Sequence, residues 1–138
     1  MQRRTAWLVV AAFGCTLLAT LVVLAEGRPG SASHMPRTVA GGDAERGRLA
    51  IRRLGCASCH SIPGVGGANG QVGPPLRAVA NQSYIGGVLP NLPENMVRWI
   101  LDPQSVDPRS AMPDVGATEA EARDIAAYLY GAHPGGWM

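Results

Sequence analysis

The run Cys56-Ala57-Ser58-Cys59-His60 constrains this chain more than any other feature. Two thiols three positions apart lie on one helical turn, and the adjacent imidazole leaves from the same turn. One short segment can therefore form two thioethers to the vinyl groups of a porphyrin and also ligate its iron, which is the attachment signature of a c-type haem. The bland alternatives are a disulfide or half of a zinc site. Tetrahedral zinc takes four ligands, and the one other cysteine, Cys15, lies in an apolar N-terminal run. A thioredoxin-like redox pair needs strand-like flanks. Here the flanks are an Arg-rich helical pattern and a Gly-rich loop.

A haem of this kind takes a second axial ligand, and the downstream candidates are Met96, Met112, His133 and Met138. Met112 stands in Ser110-Ala111-Met112-Pro113-Asp114, where Pro113 forces extended backbone on the residue before it and favours a rigid loop. Met96 instead shares a helical face with Trp99 and Ile100 and reads as core. His133 falls in the Gly- and Pro-containing tail and reads as solvated. A His60/Met112 pair is a standard ligand set for such a haem.

With these pieces in order, the chain resembles the monohaem class I cytochromes c over roughly residues 41 to 131. Gly47 and Tyr128 match the small residue and aromatic at which that family's terminal helices cross. Gly73-Pro74-Pro75-Leu76 matches its G-P-x-L loop, and Ala111-Met112-Pro113 its ligand loop. The resemblance implies an all-α fold around one haem c, bound through Cys56 and Cys59, with His60 and Met112 on the iron. It also implies that the Pro74 carbonyl accepts from Nδ1 of His60 and so orients the ring. More narrowly, Tyr84-Ile85-Gly86-Gly87-Val88-Leu89-Pro90-Asn91 followed by Trp99-Ile100-Leu101-Asp102-Pro103 is similar to the cytochrome c domain fused to subunit II of some haem-copper oxidases, and to free membrane cytochromes related to it. Gln82 stands where close relatives often carry Arg. Trp99 is then the remaining candidate for a hydrogen bond to a haem propionate, with core packing as its other role.

Local signals agree with a helical domain. Asp43 can cap a helix in which Ala44, Gly47, Ile51 and Leu54 recur three or four apart, ending at Gly55. Thr118-Glu119-Ala120-Glu121 has the form of a capping box, and it opens a run with Ala122, Ile125, Ala126 and Leu129 on one face and Gly131 as its stop. Residues 61 to 92 are rich in Gly and Pro without long periodicity and read as loops rather than strands. The domain holds one Trp, three Tyr and no Phe, so the cofactor is expected to supply much of its apolar core.

Residues 1–26 read as a transmembrane anchor or signal. Thr5 to Ala25 are 21 residues without a charge, bracketed by Arg3-Arg4 and Glu26, enough at about 1.5 Å per residue to cross a hydrocarbon layer of about 30 Å. Val23-Leu24-Ala25 resembles a small-residue cleavage site, but the stretch exceeds the roughly 7 to 15 residues of a signal core; a retained helix is the reading adopted. The positive-inside rule puts the haem domain on the periplasmic or outer side of a bacterial cytoplasmic membrane. Residues 27–42 have linker composition, residues 43–131 form the haem domain and residues 132–138 a tail. A tether of this length holds the domain near membrane partners at an effective concentration on the order of millimolar.

The chain has twelve basic residues, all Arg, and a net charge of +2. From residue 41 onward eight Arg face nine acidic residues, a net of −1 before haem propionates. The balance gives no sign of a nucleic-acid partner, and the broad lysine ring that steers soluble carriers is missing; Arg52, Arg53 and Arg77 can make at most a smaller patch. The sequence offers no general base, nucleophile or substrate pocket. It reads as a membrane-tethered carrier of single electrons that takes them from a quinol-oxidising complex or soluble cytochrome and passes them to a terminal oxidase. The competing readings are a five-coordinate haem enzyme, against which Met112 argues, and a haem subunit of a periplasmic dehydrogenase or of the oxidase itself.

Overall fold

The computed structural model describes residues 38–131. The anchor, most of the linker, the tail, Cys15, His133 and Met138 lie outside these residues. Among the described residues no helix is long and apolar enough to cross a membrane.

Helix α1 spans Ala44–Arg53. The Asp43 carboxylate accepts from the Arg46 amide at 2.8 Å, an N-cap worth about 1 kcal/mol, and Ala50 and Ile51 face the core. A 3₁₀ turn, Cys56–Ser58, follows, and a second, Val79–Asn81, lies beyond the Gly- and Pro-rich loops. Strands β1 (Tyr84–Ile85) and β2 (Leu89–Pro90) pair antiparallel. Then come α2 (Pro93–Leu101), the single turn α3 (Pro103–Val106) and the long α4 (Glu119–Gly131). The capping box at the head of α4 closes reciprocally: the Thr118 amide donates to the Glu121 carboxylate at 3.0 Å and the Glu121 amide to the Thr118 hydroxyl at 3.3 Å.

The architecture is a crossing of α1 and α4, with α2 packed on α4. Ala122 and Ala126 are fully buried and Ile125 and Leu129 nearly so, the face expected from their spacing. The helices approach so closely that a methyl group at Gly47 would overlap the Asp124 backbone, which accounts for a residue of poor helix propensity in mid-helix. Tyr128 is 1% exposed, and its hydroxyl donates to the Pro63 carbonyl at 2.6 Å, tying α4 to the loop that follows His60.

Three features depart from the sequence reading. The segment read wholly as loop contains the β1–β2 hairpin, because Gly86 and Gly87 both take positive φ, +56° and +77°, and so close the tight turn in which the Val88 amide donates to the Ile85 carbonyl. On α2 the buried face is Met96, Val97 and Ile100, whereas Trp99 stands half-buried at its edge. Val39, in the segment read as linker, is buried in the core.

Candidate functional site

Gly55, at φ +75°, turns the chain out of α1 into the Cys56–Ser58 turn. The amides of Cys59 and His60 both donate to the Cys56 carbonyl, at 3.3 and 3.0 Å, and the Ser58 hydroxyl donates to the Gly55 carbonyl at 2.7 Å. Both thiols and the imidazole thus leave from one hydrogen-bonded turn. Cys56 and Cys59 are free and half-buried. Burial pushes the Cys56 thiol above its ordinary pKa, which keeps its proton on at neutral pH.

The Gly73–Leu76 loop runs alongside this turn. The Gly73 amide donates to the Cys59 carbonyl at 2.8 Å and the Leu76 amide to the Ser61 carbonyl at 2.9 Å. Nδ1 of His60 donates to the Pro74 carbonyl at 2.7 Å, so Nε2 carries the lone pair and points the basic nitrogen away from the loop. Gly73 lies flat against the ring, where a methyl group would overlap it. The cradle therefore fits a metal bound through Nε2, and the two thiols beside it fit covalent attachment of a porphyrin. The alternative of zinc finds too few donors, since no group of three or more His, Cys, Asp or Glu side chains converges among the described residues.

The other two expected residues are held by different contacts. Trp99 covers Gly86, where a methyl group would meet the indole ring; it packs half-buried against the core. Met112 is half-buried in the loop between α3 and α4. Its amide donates to the Ser110 hydroxyl at 3.2 Å and its carbonyl accepts from the Gln104 amide at 2.7 Å. Met96 is 5% exposed in the core, as its helical spacing suggests.

Three residues with structural weight here escaped the sequence reading. Asn91 is 4% exposed; its side-chain amide donates to the carbonyls of Val79 and Gln82 at 2.7 and 2.8 Å, and its oxygen accepts from the Tyr130 hydroxyl at 2.7 Å. It thereby fixes the loop ahead of the hairpin to α4. Asp124, 5% exposed, accepts from the Arg46 guanidinium and from the Asp43 amide. The hydrogen bond from Arg46 holds its carboxyl below the usual carboxylate range. Gln104 is the third.

Comparison with known proteins agrees with this geometry. The family model for cytochrome c matches residues 44–132. A relative named cytochrome c oxidase subunit 2, from Alkalihalophilus pseudofirmus, is 35% identical over 89 residues, covering 62% of this chain and 25% of that protein. The chain thus spans about a quarter of the length of the curated relative it matches. No solved structure matches.

Proposed function

The chain belongs to the cytochrome c family, and from that premise we propose that it is a membrane-tethered carrier of single electrons, feeding a terminal haem-copper oxidase. Membership in the family implies covalent haem c and electron transfer rather than catalysis on a substrate. Bound there, the haem supplies an iron centre that cycles between ferrous and ferric states.

The chain's own residues divide the remaining work. Cys56 and Cys59 would hold the haem covalently, each through a thioether from its thiol to one vinyl group. His60 would ligate the iron through Nε2, while the Pro74 carbonyl, accepting from Nδ1, keeps that nitrogen protonated and the ring in one orientation. Met112 would supply its thioether as the second ligand, which would favour the reduced iron and raise the potential. Trp99 offers its indole N–H, which has no hydrogen-bond partner among the described residues, to a propionate. The observation that carries this reading is the 2.7 Å contact between His60 and Pro74 beside two free thiols.

Membrane attachment is supported by the uncharged run from Thr5 to Ala25, and an outward-facing haem domain by Arg3-Arg4 ahead of it. The oxidase as acceptor is supported by likeness to a protein named cytochrome c oxidase subunit 2. That same likeness favours a second reading, in which this chain is a haem subunit bound stably in an oxidase complex.

Respiration by membranes with and without the protein tests both. As a carrier, its loss slows oxygen uptake from an upstream donor and leaves uptake from an artificial donor to the oxidase unchanged. Equal slowing with both donors, together with copurification of the chain with the oxidase in detergent, moves the assignment to bound subunit. Rapid peroxide turnover by the purified protein overturns the carrier reading altogether.

A further inference from the structure

Between α3 and α4 the chain runs from Asp107 to Thr118 with neither helix nor strand, and Met112 sits near the middle of that span. Such a segment has many backbone conformations, and a thioether is a weak, neutral ligand. What keeps Met112 facing one way is therefore a physical question about the loop. Apart from the bonds of the flanking Asp107 with Arg109 and Ser110, the hydrogen bonds that reach residues 108–117 from outside come, among the described residues, from one side chain, the amide of Gln104. Its nitrogen donates to the Met112 carbonyl at 2.7 Å and, at a longer 3.5 Å, to the Ser110 carbonyl. The two hydrogens of one NH₂ thus reach two carbonyls across the base of the loop.

The side chain is well placed to act as a fixed post. Gln104 follows Pro103, which is fully buried and opens α3 with its φ already set. The turn is capped by Asp102, whose carboxylate accepts from the Ser105 amide at 2.9 Å, and closed by the Asp107 amide donating to the Pro103 carbonyl at 2.9 Å. On the loop side, Met112 has its amide on the Ser110 hydroxyl and its carbonyl on Gln104, so the peptide groups on both sides of its Cα are pinned. Pro113 restricts it further to extended backbone. Only the side-chain torsions of Met112 then remain to be ordered when it meets iron.

We propose that Gln104 is a positioning residue for the axial ligand: its side-chain amide clamps the Met112 carbonyl and holds the loop in the ligating conformation. The proposal rests on Met112 being that ligand. Without the clamp, the loop gains conformations in which the thioether is withdrawn, and the iron in its ferric state, which binds thioether less well, loses it first.

The test uses full-length haem-loaded ferric protein titrated with imidazole, which competes with the thioether, while the weak red absorption band of thioether-ligated ferric haem is followed. Gln104→Ala removes the donor. Gln104→Glu keeps the shape but presents a carboxylate that cannot donate at neutral pH, and Gln104→Lys restores a donor at an exposed position where the longer chain has room. A neutral hydrogen bond of ordinary net strength predicts imidazole binding roughly three- to ten-fold tighter in the Ala and Glu variants, with a weaker red band, and near wild-type behaviour in Gln104→Lys. Unchanged affinity and band in the Ala and Glu variants overturn the clamp, as does tightening of equal size in Gln104→Lys. Loss of the band in Met112→Ala confirms the ligand independently; a band that survives Met112→Ala overturns the ligand reading and the clamp with it.

Discussion

The Pro74 carbonyl oxygen lies 2.7 Å from Nδ1 of His60. A carbonyl only accepts, so this contact selects the tautomer with hydrogen on Nδ1 and leaves Nε2 basic, the form a metal requires. Because the acceptor is a backbone atom, the contact depends on where the Gly73–Pro74 segment runs and not on the proline side chain.

That distinction gives the first prediction. Gly73→Ala would drive a methyl group into the imidazole ring, so the ring or the loop must shift and the Pro74 contact is lost. Pro74→Ala keeps the carbonyl. Haem content per polypeptide, measured after expression with a haem attachment system, should fall severalfold for Gly73→Ala and stay near wild type for Pro74→Ala. Equal haem content in both variants would remove the contact from the account of the site.

The two methionines should behave in opposite ways. Met112→Ala is expected to abolish the red thioether band and lower the midpoint potential with little loss of stability, since Met112 is only half-buried. Met96 is 5% exposed, and Met96→Ala should keep the band and the potential while destabilising the domain by about 2–4 kcal/mol. Spectra and denaturant unfolding of the two ferric proteins decide it; a reversal of the pattern would move the ligand to α2.

Much of the domain was legible because its signals are local. The Asp43 cap, the Thr118/Glu121 box and the apolar spacing of α1 and α4 each act within a turn or two of helix, and the C-x-x-C-H turn is five consecutive residues. The β1–β2 hairpin was missed although Gly86-Gly87 is a turn signal, because strands of two residues show no alternation. The polar ties were invisible for another reason. Arg46 meets Asp124 across 78 positions and Tyr130 meets Asn91 across 39, and such pairs leave no periodicity in the chain. Gln104 lies only eight positions from Met112, but its partner is a backbone carbonyl, which every residue has.

Asp124 carries a pH prediction. Its carboxyl is held below the ordinary value of 3.8, chiefly by the hydrogen bond from Arg46, so the ionised form stabilises the fold. That contribution is present in full well above 3.8 and is lost as pH falls through the lower folded-state value. Asp124→Asn should cost about 1–3 kcal/mol at neutral pH, because charge-assisted bonds become neutral ones at the crossing of α1 and α4. The gap between wild type and variant should narrow only below pH 3.8, as followed by thermal unfolding at a series of pH values. A gap that closes between pH 5 and 7 would assign the stability to some other group.

The last prediction concerns how the carrier finds its partners. Of the eight Arg in the domain, five are in ion pairs: Arg46 with Asp43 and Asp124, Arg48 with Glu45, Arg53 with Glu121, Arg109 with Asp107, and Arg123 with Glu94 and Glu119. Arg52, Arg77 and Arg98 remain exposed and outside ion pairs among the described residues. Arg53 is thus neutralised locally, and of the three arginines that could have made a small basic patch only Arg52 and Arg77 stay outside ion pairs among the described residues. With so little uncompensated charge, the field at the surface is weak, and a rise in salt has little attraction to screen. Stopped-flow electron transfer from the reduced domain to an oxidase should slow by less than about threefold between 10 and 150 mM salt, whereas strongly steered association falls by a factor of ten or more. Arg52→Gln and Arg77→Gln together should remove most of what dependence there is. A tenfold decline in the wild type would show that charges outside residues 38–131, or on the haem itself, steer the encounter.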